Sequence, residues 1–335
     1  MGKSAVLRGL GAALPPNRVT NEDLAAQLDT SDEWIQARTG IRQRFVISPG
    51  MATSDLAVEA GRRALASADA VEVGAVVLAT STPDHPCPAT APEVAARLGL
   101  THAAAFDVAA VCTGFVYALA TASGLISAGI VDSVLVIGAD TFSTILDPTD
   151  RTTRAIFGDG AGAVVLSAGE ADEDGALLGF DLGSDGANRE LIMVPAGGSR
   201  ERASGVLPAD TDRYFTMQGK QVFTNAVLRM SESVSTLAKR IGWDDGEIDR
   251  VVAHQANIRI LRAVGDQLGL EPEQVVANLD RVGNTVAASI PLALADAVAS
   301  GNVEPGHRVA LAGFGGGLTW GATALRWPEI TVEEI

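Results

Sequence analysis

"DVAAVCTGFVYALATASGLISAG" (107–129) runs from a short apolar segment, through a turn of small residues, into a helix-length apolar stretch. A second stretch, "GNTVAASIPLALADAVASG" (283–301), repeats that plan: a small-residue turn opening a helix. Each is bracketed by β-branched runs. Val76 in "AVVLAT" (75–80) and Val134 in "SVLVIGAD" (133–140) lie 58 residues apart, and so do Val251 in "RVVAH" (250–254) and Val309 in "RVALAGFG" (308–315). Two strand–turn–helix–strand units of equal length point to an internal duplication. Working outward, "GAVVLS" (162–167) reads as a further buried strand, and the N-terminal "MGKSAVLRGLGAALPPNRVT" (1–20) as carrying the first. Helical patterns cover 53–68, 113–128, 219–241, 257–268 and 286–300. Strands alternating with helices predict an α/β architecture. The acidic, glycine-rich "SAGEADEDGALLGF" (167–180) divides the chain into halves, 1–170 and 171–335. "GGSRERASGVLPADTDR" (197–213) reads as a surface excursion.

With 335 residues, 47% hydrophobic and 20% charged, the chain can bury a large core or two fused ones. Its formal net charge of −16 argues against a nucleic-acid or anionic-membrane binder. No apolar run reaches the roughly 18 residues of a membrane helix. Arg8 and Pro15–Pro16 interrupt the N-terminal apolar run, so a signal peptide is not expected and a cytoplasmic location is. Cys87 and Cys112 form no CxxC pair, and four unclustered histidines give no support to a metal site. "FGDGAGAVVL" (157–166) leads into a strand, whereas a dinucleotide fingerprint follows one and opens a helix.

Three polar residues stand at the turns of the two units. Cys112 opens the helix of the first. His254 ends a strand and runs into "HQANIRI". Asn284 sits in the matching turn of the second unit. Each has a structural reading: a packed thiol, a hydrogen-bonded core histidine, a capped turn. Taken together, they favour one polar site inside an apolar core. A cysteine at a helix start is expected to have its thiolate favoured by the helix dipole, and a nearby histidine helps activate it. The glycines of "GFGGGLTWG" (313–321) let backbone N–H groups approach a reacting carbonyl.

These residues resemble the thiolase-fold condensing enzymes, most closely the 3-oxoacyl-[acyl-carrier-protein] synthase III family. "SDEWIQARTGIRQR" (31–44), "DVAAVCTGFVYAL" (107–119), "DPTDR" with "IFGDGAGAVVL" (147–166), "HQANIRI" (254–260), "GNTVAASIPLAL" (283–294) and "GFGGGLTWGA" (313–322) fall in that family's order. The resemblance implies a thiolase-like fold, duplicated βαβαβαββ halves in a five-layer α-β-α-β-α sandwich, and a homodimer. It implies decarboxylative condensation of an acyl-CoA primer with malonyl-carrier protein, with no cofactor beyond the CoA thioester substrate. Cys112 is then the nucleophile, and His254 and Asn284 bind the malonyl thioester carbonyl. The backbone N–H groups of Cys112 and Gly317 form the oxyanion hole. Phe314 shields the carboxylate that leaves as CO2. For CoA, Trp34 and Arg151 are expected to sandwich the adenine and Arg38 to meet the phosphates. Gly219 and Asn257 are expected to follow the pantetheine arm.

Two departures shape the expectations. Where lysines are common for docking the acidic carrier, this chain has Asp266–Gln267 and Thr224, which leaves Arg259 and Arg262, with Arg229 nearby, as an atypical patch. At Cys87, before Pro88, the family carries a residue that closes the partner subunit's acyl pocket. A cysteine there predicts room for butyryl or isobutyryl primers. A non-decarboxylating acyltransferase of the same fold is the alternative, against which the retained Asn284 argues.

Overall fold

A computed structural model of the chain describes residues 3–68, 71–244 and 246–333. Five strands, β1 (Ser4–Ala13), β2 (Ala75–Ala79), β3 (Ala104–Val108), β4 (Ser133–Asp140) and β5 (Gly160–Gly169), form one sheet in the order β1-β5-β4-β2-β3. Four more, β6 (Phe180–Ser184), β7 (Arg250–Ala253), β8 (Arg308–Gly315) and β9 (Thr319–Arg326), form a second in the order β6-β9-β8-β7. Helix α1 (Asp32–Thr39) lies outside this frame. Helices α2 (Thr53–Ser67), α3 (Ala91–Arg97), α4 (Gly114–Ser127), α5 (Gly219–Ile241), α6 (Ile258–Leu268) and α7 (Ser289–Ala299) connect the strands.

The duplication is visible in register. Ala75 pairs in parallel with Val134, and Arg250 in parallel with Val309, an offset of 59 residues in both sheets. The second sheet repeats the first strand for strand, except that the partner of β3 has shrunk to an isolated parallel bridge between Val251 and Val275. Among the described residues, the only non-glycine residues with positive φ are Val111 (47°) and Val286 (53°). They occupy the same place in the two units, 35 residues after Val76 and Val251. β-Branched residues rarely hold this conformation, and such outliers cluster where function constrains the backbone.

The layers follow from which helix faces are apolar. On α7, Ile290, Pro291, Leu292, Ala293, Leu294, Ala295 and Ala297 are all buried, so no polar face remains for water. α4 likewise buries Phe115, Val116, Ala118, Leu119, Ala122 and Ile126. These two helices lie between the sheets and share one core with both. α2 and α3 cover the outer face of the first sheet, α5 and α6 that of the second. The result is the five-layer α-β-α-β-α sandwich. Gly138 permits a close approach: a Cβ there would stand 2.3 Å from the Ala287 carbonyl oxygen, blocking the turn that carries the second unit's polar residues.

α7 starts at Ser289, later than the helical pattern suggests, because Val286–Ala288 forms a 3-10 turn. The 197–213 excursion contains a short helix, Ser199–Ser204, and exposes Val206 and Leu207. No helix among the described residues is long and apolar enough to cross a membrane.

Candidate active site

Cys112 stands in the 3-10 turn Val111–Thr113 that leads into α4. Its thiol is buried, and β8 presses on it: a Cβ on Gly315 would lie 2.7 Å from the Cys112 amide nitrogen. Burial pushes the thiol pKa up, and the Asp140 carboxylate pushes it further; the Cys112 N–H acts in the other direction. The helix start alone suggested an easily ionised thiol, but in the free protein burial dominates.

His254 leaves the end of β7 with its amide held by the Ala312 carbonyl at 2.7 Å. Burial lowers its pKa to about 3, so the imidazole is neutral. Asn284 is pinned on three sides. Its N–H donates to the Ile156 carbonyl, its carbonyl accepts from Gly158 N–H, and its Oδ1 accepts from Val286 N–H at 3.0 Å. With Oδ1 occupied, Nδ2 is the group left to donate. Cys112, His254, Asn284 and Phe314 all line one cavity of about 540 Å³, so the structure brings together the residues that the sequence holds up to 202 positions apart.

Behind the cavity, Asp140 closes β4. Its Oδ1 accepts from Ser81 N–H at 2.7 Å and from the Thr80 and Thr82 hydroxyls, while Oδ2 accepts from Ala287 N–H at 2.9 Å. Burial raises its pKa to about 7 against these donors. It ties the first half to the turn that follows Asn284.

Gly219 and Asn257 also line the cavity. Asn257 caps α6, its Oδ1 accepting from Ile260 N–H at 3.0 Å, which leaves its Nδ2 free for a second task. Arg38 lines the same cavity, and its guanidinium lies 4.4 Å from the Trp34 ring centroid. Arg151 lies 5.1 Å from that ring and donates to the Asp29 carbonyl. A flat base entering between Trp34 and Arg151 therefore has to lift Arg151 away. Ser31 also accepts from Trp34 N–H, so the indole sits on a capped helix; Arg38 lines the cavity, whereas Trp34 and Arg151 do not.

Two placements differ from the sequence expectations. None of Gly315, Gly316 and Gly317 lines the cavity; a Cβ on Gly315 would press on Cys112, one on Gly316 on Val111 and the cavity residue Ile192, and one on Gly317 on Thr319. Three consecutive glycines hide that register from sequence. Arg259 lines the cavity mouth but Arg262 does not, while Arg229 is occupied by the Trp320 ring at 4.5 Å and by Glu232. Cys87 is exposed on its own chain, outside this cavity.

Sequence reasoning missed Lys220. It lines the mouth one helical turn before Thr224, whose hydroxyl donates to the Lys220 carbonyl. The i, i+4 spacing on α5 was the available signal. Phe142, Phe157 and Phe215 were also missed; their rings pack 4.7–5.1 Å apart, and Phe157 and Phe215 wall the cavity.

Residues 106–186 match the family described as 3-oxoacyl-[acyl-carrier-protein (ACP)] synthase III, and residues 238–327 match its C-terminal region. The chain is 62% identical to beta-ketoacyl-[acyl-carrier-protein] synthase III 5 of Streptomyces coelicolor over 331 residues, 99% of each chain. The crystal structure of 3-oxoacyl-(acyl carrier protein) synthase III from Pseudomonas aeruginosa PAO1 superposes with a TM-score of 0.92 at 56% identity, covering 98% of this chain and 99% of that one. The priming beta-ketosynthase of the R1128 polyketide biosynthetic pathway superposes with a TM-score of 0.91 at 31% identity, covering 98% of each.

Proposed function

The chain belongs to the 3-oxoacyl-[acyl-carrier-protein] synthase III family, and on that premise we propose how its cavity carries out the reaction. The enzyme condenses an acyl-CoA primer with malonyl-carrier protein, with loss of CO2, to give the 3-oxoacyl-carrier that starts a fatty acid or polyketide chain. As an acyltransferase it works in two half-reactions. In the first, the Cys112 sulfur attacks the primer thioester; the acyl group passes to sulfur, and CoA leaves carrying the thiol proton. In the second, the malonyl C–C bond breaks, CO2 departs, and the electron pair becomes an enolate. The enolate carbon attacks the acyl-Cys carbonyl, and Cys112 leaves as thiolate, to be reprotonated.

The observation that carries this reading is the pair of neutral donors at one cavity. Asn284 has its Oδ1 occupied and only Nδ2 to offer, and His254 is held neutral by burial. Such donors favour an oxygen that gains charge during the step. A carrier that merely passed its acyl group to an alcohol or amine would have no use for an enolate site. The first oxyanion donor is the Cys112 amide; the second comes from the backbone of Gly315–Gly317, of which Gly315 packs against Cys112. Phe314, buried at the cavity wall, keeps water from the departing carboxylate.

CoA enters along Gly219 and Asn257, with its phosphates near Arg38 and its adenine at Trp34 and Arg151. The acidic carrier protein docks on Arg259, with Lys220 in place of the absent lysines and Arg262 beyond. The halves 1–170 and 171–335 are repeats of one unit. A cytoplasmic homodimer, in which Cys87 reaches the partner's acyl pocket and leaves room for butyryl or isobutyryl, belongs to the same reading. No cofactor enters it.

Asn284→Ala tests it. Acylation of Cys112 is expected to survive, while decarboxylation of malonyl-carrier loses about 2–4 kcal/mol of transition-state stabilisation, the effect of one oxyanion donor. Equal loss in both half-reactions contradicts the enolate role of Asn284.

A further inference from the structure

The neutral imidazole of His254 carries one proton, on either Nδ1 or Nε2. The Nδ1 atom lies 2.7 Å from the hydroxyl oxygen of Ser289, the first residue of α7. Both side chains are buried. The Ser289 oxygen also lies 3.4 Å from the Gln255 N–H, which donates to it. A serine hydroxyl has a single proton to give. If Nδ1 carried the imidazole proton and donated to Ser289, the serine would need another acceptor for its own. The obvious one on a helix is the carbonyl four residues back, at Thr285, but the Ser289 hydroxyl makes no hydrogen bond to it. Among the described residues the Ser289 hydroxyl has no acceptor other than Nδ1. The Nε2 atom has no hydrogen-bond partner among them, and His254 lines the cavity.

We propose that Ser289 is a positioning residue: its hydroxyl donates to Nδ1 of His254 and holds the ring as the Nε2–H tautomer, so that His254 presents a donor to the cavity. The assignment of that donor to the enolate oxygen rests on the proposed function; the tautomer itself does not. The arrangement has an economy of placement. The segment Asn284–Ser289 supplies one donor directly, through Asn284 Nδ2, and orients the other from its far end. Its middle is fixed to the first half of the chain by Asp140, which accepts from Ala287 N–H. Among the described residues no carboxylate bonds Nδ1, and burial keeps the ring neutral, so a hydroxyl and not a carboxylate is the group that sets the proton's place without charging the ring.

The test uses the full-length protein labelled with ¹⁵N-histidine. There are four histidines, and a His254→Gln spectrum identifies the resonances of His254. Long-range ¹H–¹⁵N spectra of the wild type are expected to show His254 neutral, with an acceptor-type Nδ1 and a protonated Nε2. In Ser289→Ala the ring is expected to become a mixture of tautomers, and malonyl-carrier decarboxylation to fall at least tenfold while Cys112 acylation continues. Ser289→Thr, which keeps the hydroxyl, is expected to restore both the spectrum and the decarboxylation rate. A wild-type ring protonated on Nδ1 overturns the proposal, and so does a Ser289→Ala protein that keeps both the Nε2–H signature and the wild-type rate. A wild type with the Nε2–H signature that does not decarboxylate malonyl-carrier instead overturns the functional reading and leaves the tautomer assignment standing.

Discussion

The Asp140 carboxyl, with four donors on it and the Cys112 thiol close enough to feel its charge, is where a single proton has the most consequences. Its negative charge pushes the Cys112 thiol up. Asp140→Asn removes that charge, so the alkylation of Cys112 by iodoacetamide, followed peptide by peptide to separate it from Cys87, is expected to shift to lower pH. An unchanged profile would mean that the two groups do not sense each other. Stability responds as well. Asp140 is raised from 3.8 to about 7, so its folded form binds a proton that the unfolded chain has already released; the associated stability is full below pH 3.8 and lost as pH rises to about 7. His254 is depressed from 6.5 to about 3, so its contribution is full above pH 6.5 and lost as pH falls to about 3. Between pH 4 and 6.5 the two slopes oppose, each at most about 1.4 kcal/mol per pH unit. Asp140→Asn is expected to lose stability more steeply than the wild type on acidification through that window. Urea titrations at several pH values give the slopes, and parallel slopes would contradict the assignment. Of these residues, Cys112, His254 and Asn284 were legible because their turns repeat. Asp140 and Ser289 were not, because their importance lies in what they touch across the fold.

At the scale of elements, the strands and helices that were anticipated were read nearly to their ends, since β2, β4, β7 and β8 are short β-branched runs and α4 and α7 are largely apolar, whereas β6, β9 and α3 were not anticipated. The spacing of 58 anticipated the shared register of 59. The two strained valines were invisible, because nothing in the letters V-C-T or V-A-A signals positive φ. The strain is held by close packing of β8 on the first turn. Gly315→Ala places a Cβ 2.7 Å from the Cys112 amide, against backbone that cannot yield without moving Cys112. It is expected to cost about 1–3 kcal/mol of stability by overpacking and to abolish acylation of Cys112. Denaturant unfolding and intact mass measure the two effects, and a variant that acylates normally would show that β8 does not set the position of the thiol.

At the scale of the whole molecule, a net charge of −16 surrounds a cavity whose mouth carries Arg38, Lys220 and Arg259. Rim charges act mainly on encounter and its salt dependence. Charge reversal of Lys220 and Arg259 is expected to raise KM for malonyl-carrier about tenfold at low salt, with the difference shrinking as salt screens it; an unchanged KM would move the docking surface elsewhere. Composition foretold the acidity of the chain, but not which cations reach the mouth, because Arg229 and Arg262 look equivalent to Arg259 in sequence. In the proposed reaction, one thiol at the junction of two repeated halves carries the acyl group between two half-reactions. Intact-protein mass spectrometry after incubation with acetyl-, butyryl- and isobutyryl-CoA, and again after adding malonyl-carrier, follows that group directly. The predicted result is a gain of one acyl group, mapped to Cys112, absent in Cys112→Ser and discharged with CO2 release when malonyl-carrier arrives. An adduct mapped to Cys87, or one on Cys112 that malonyl-carrier does not discharge, would contradict it.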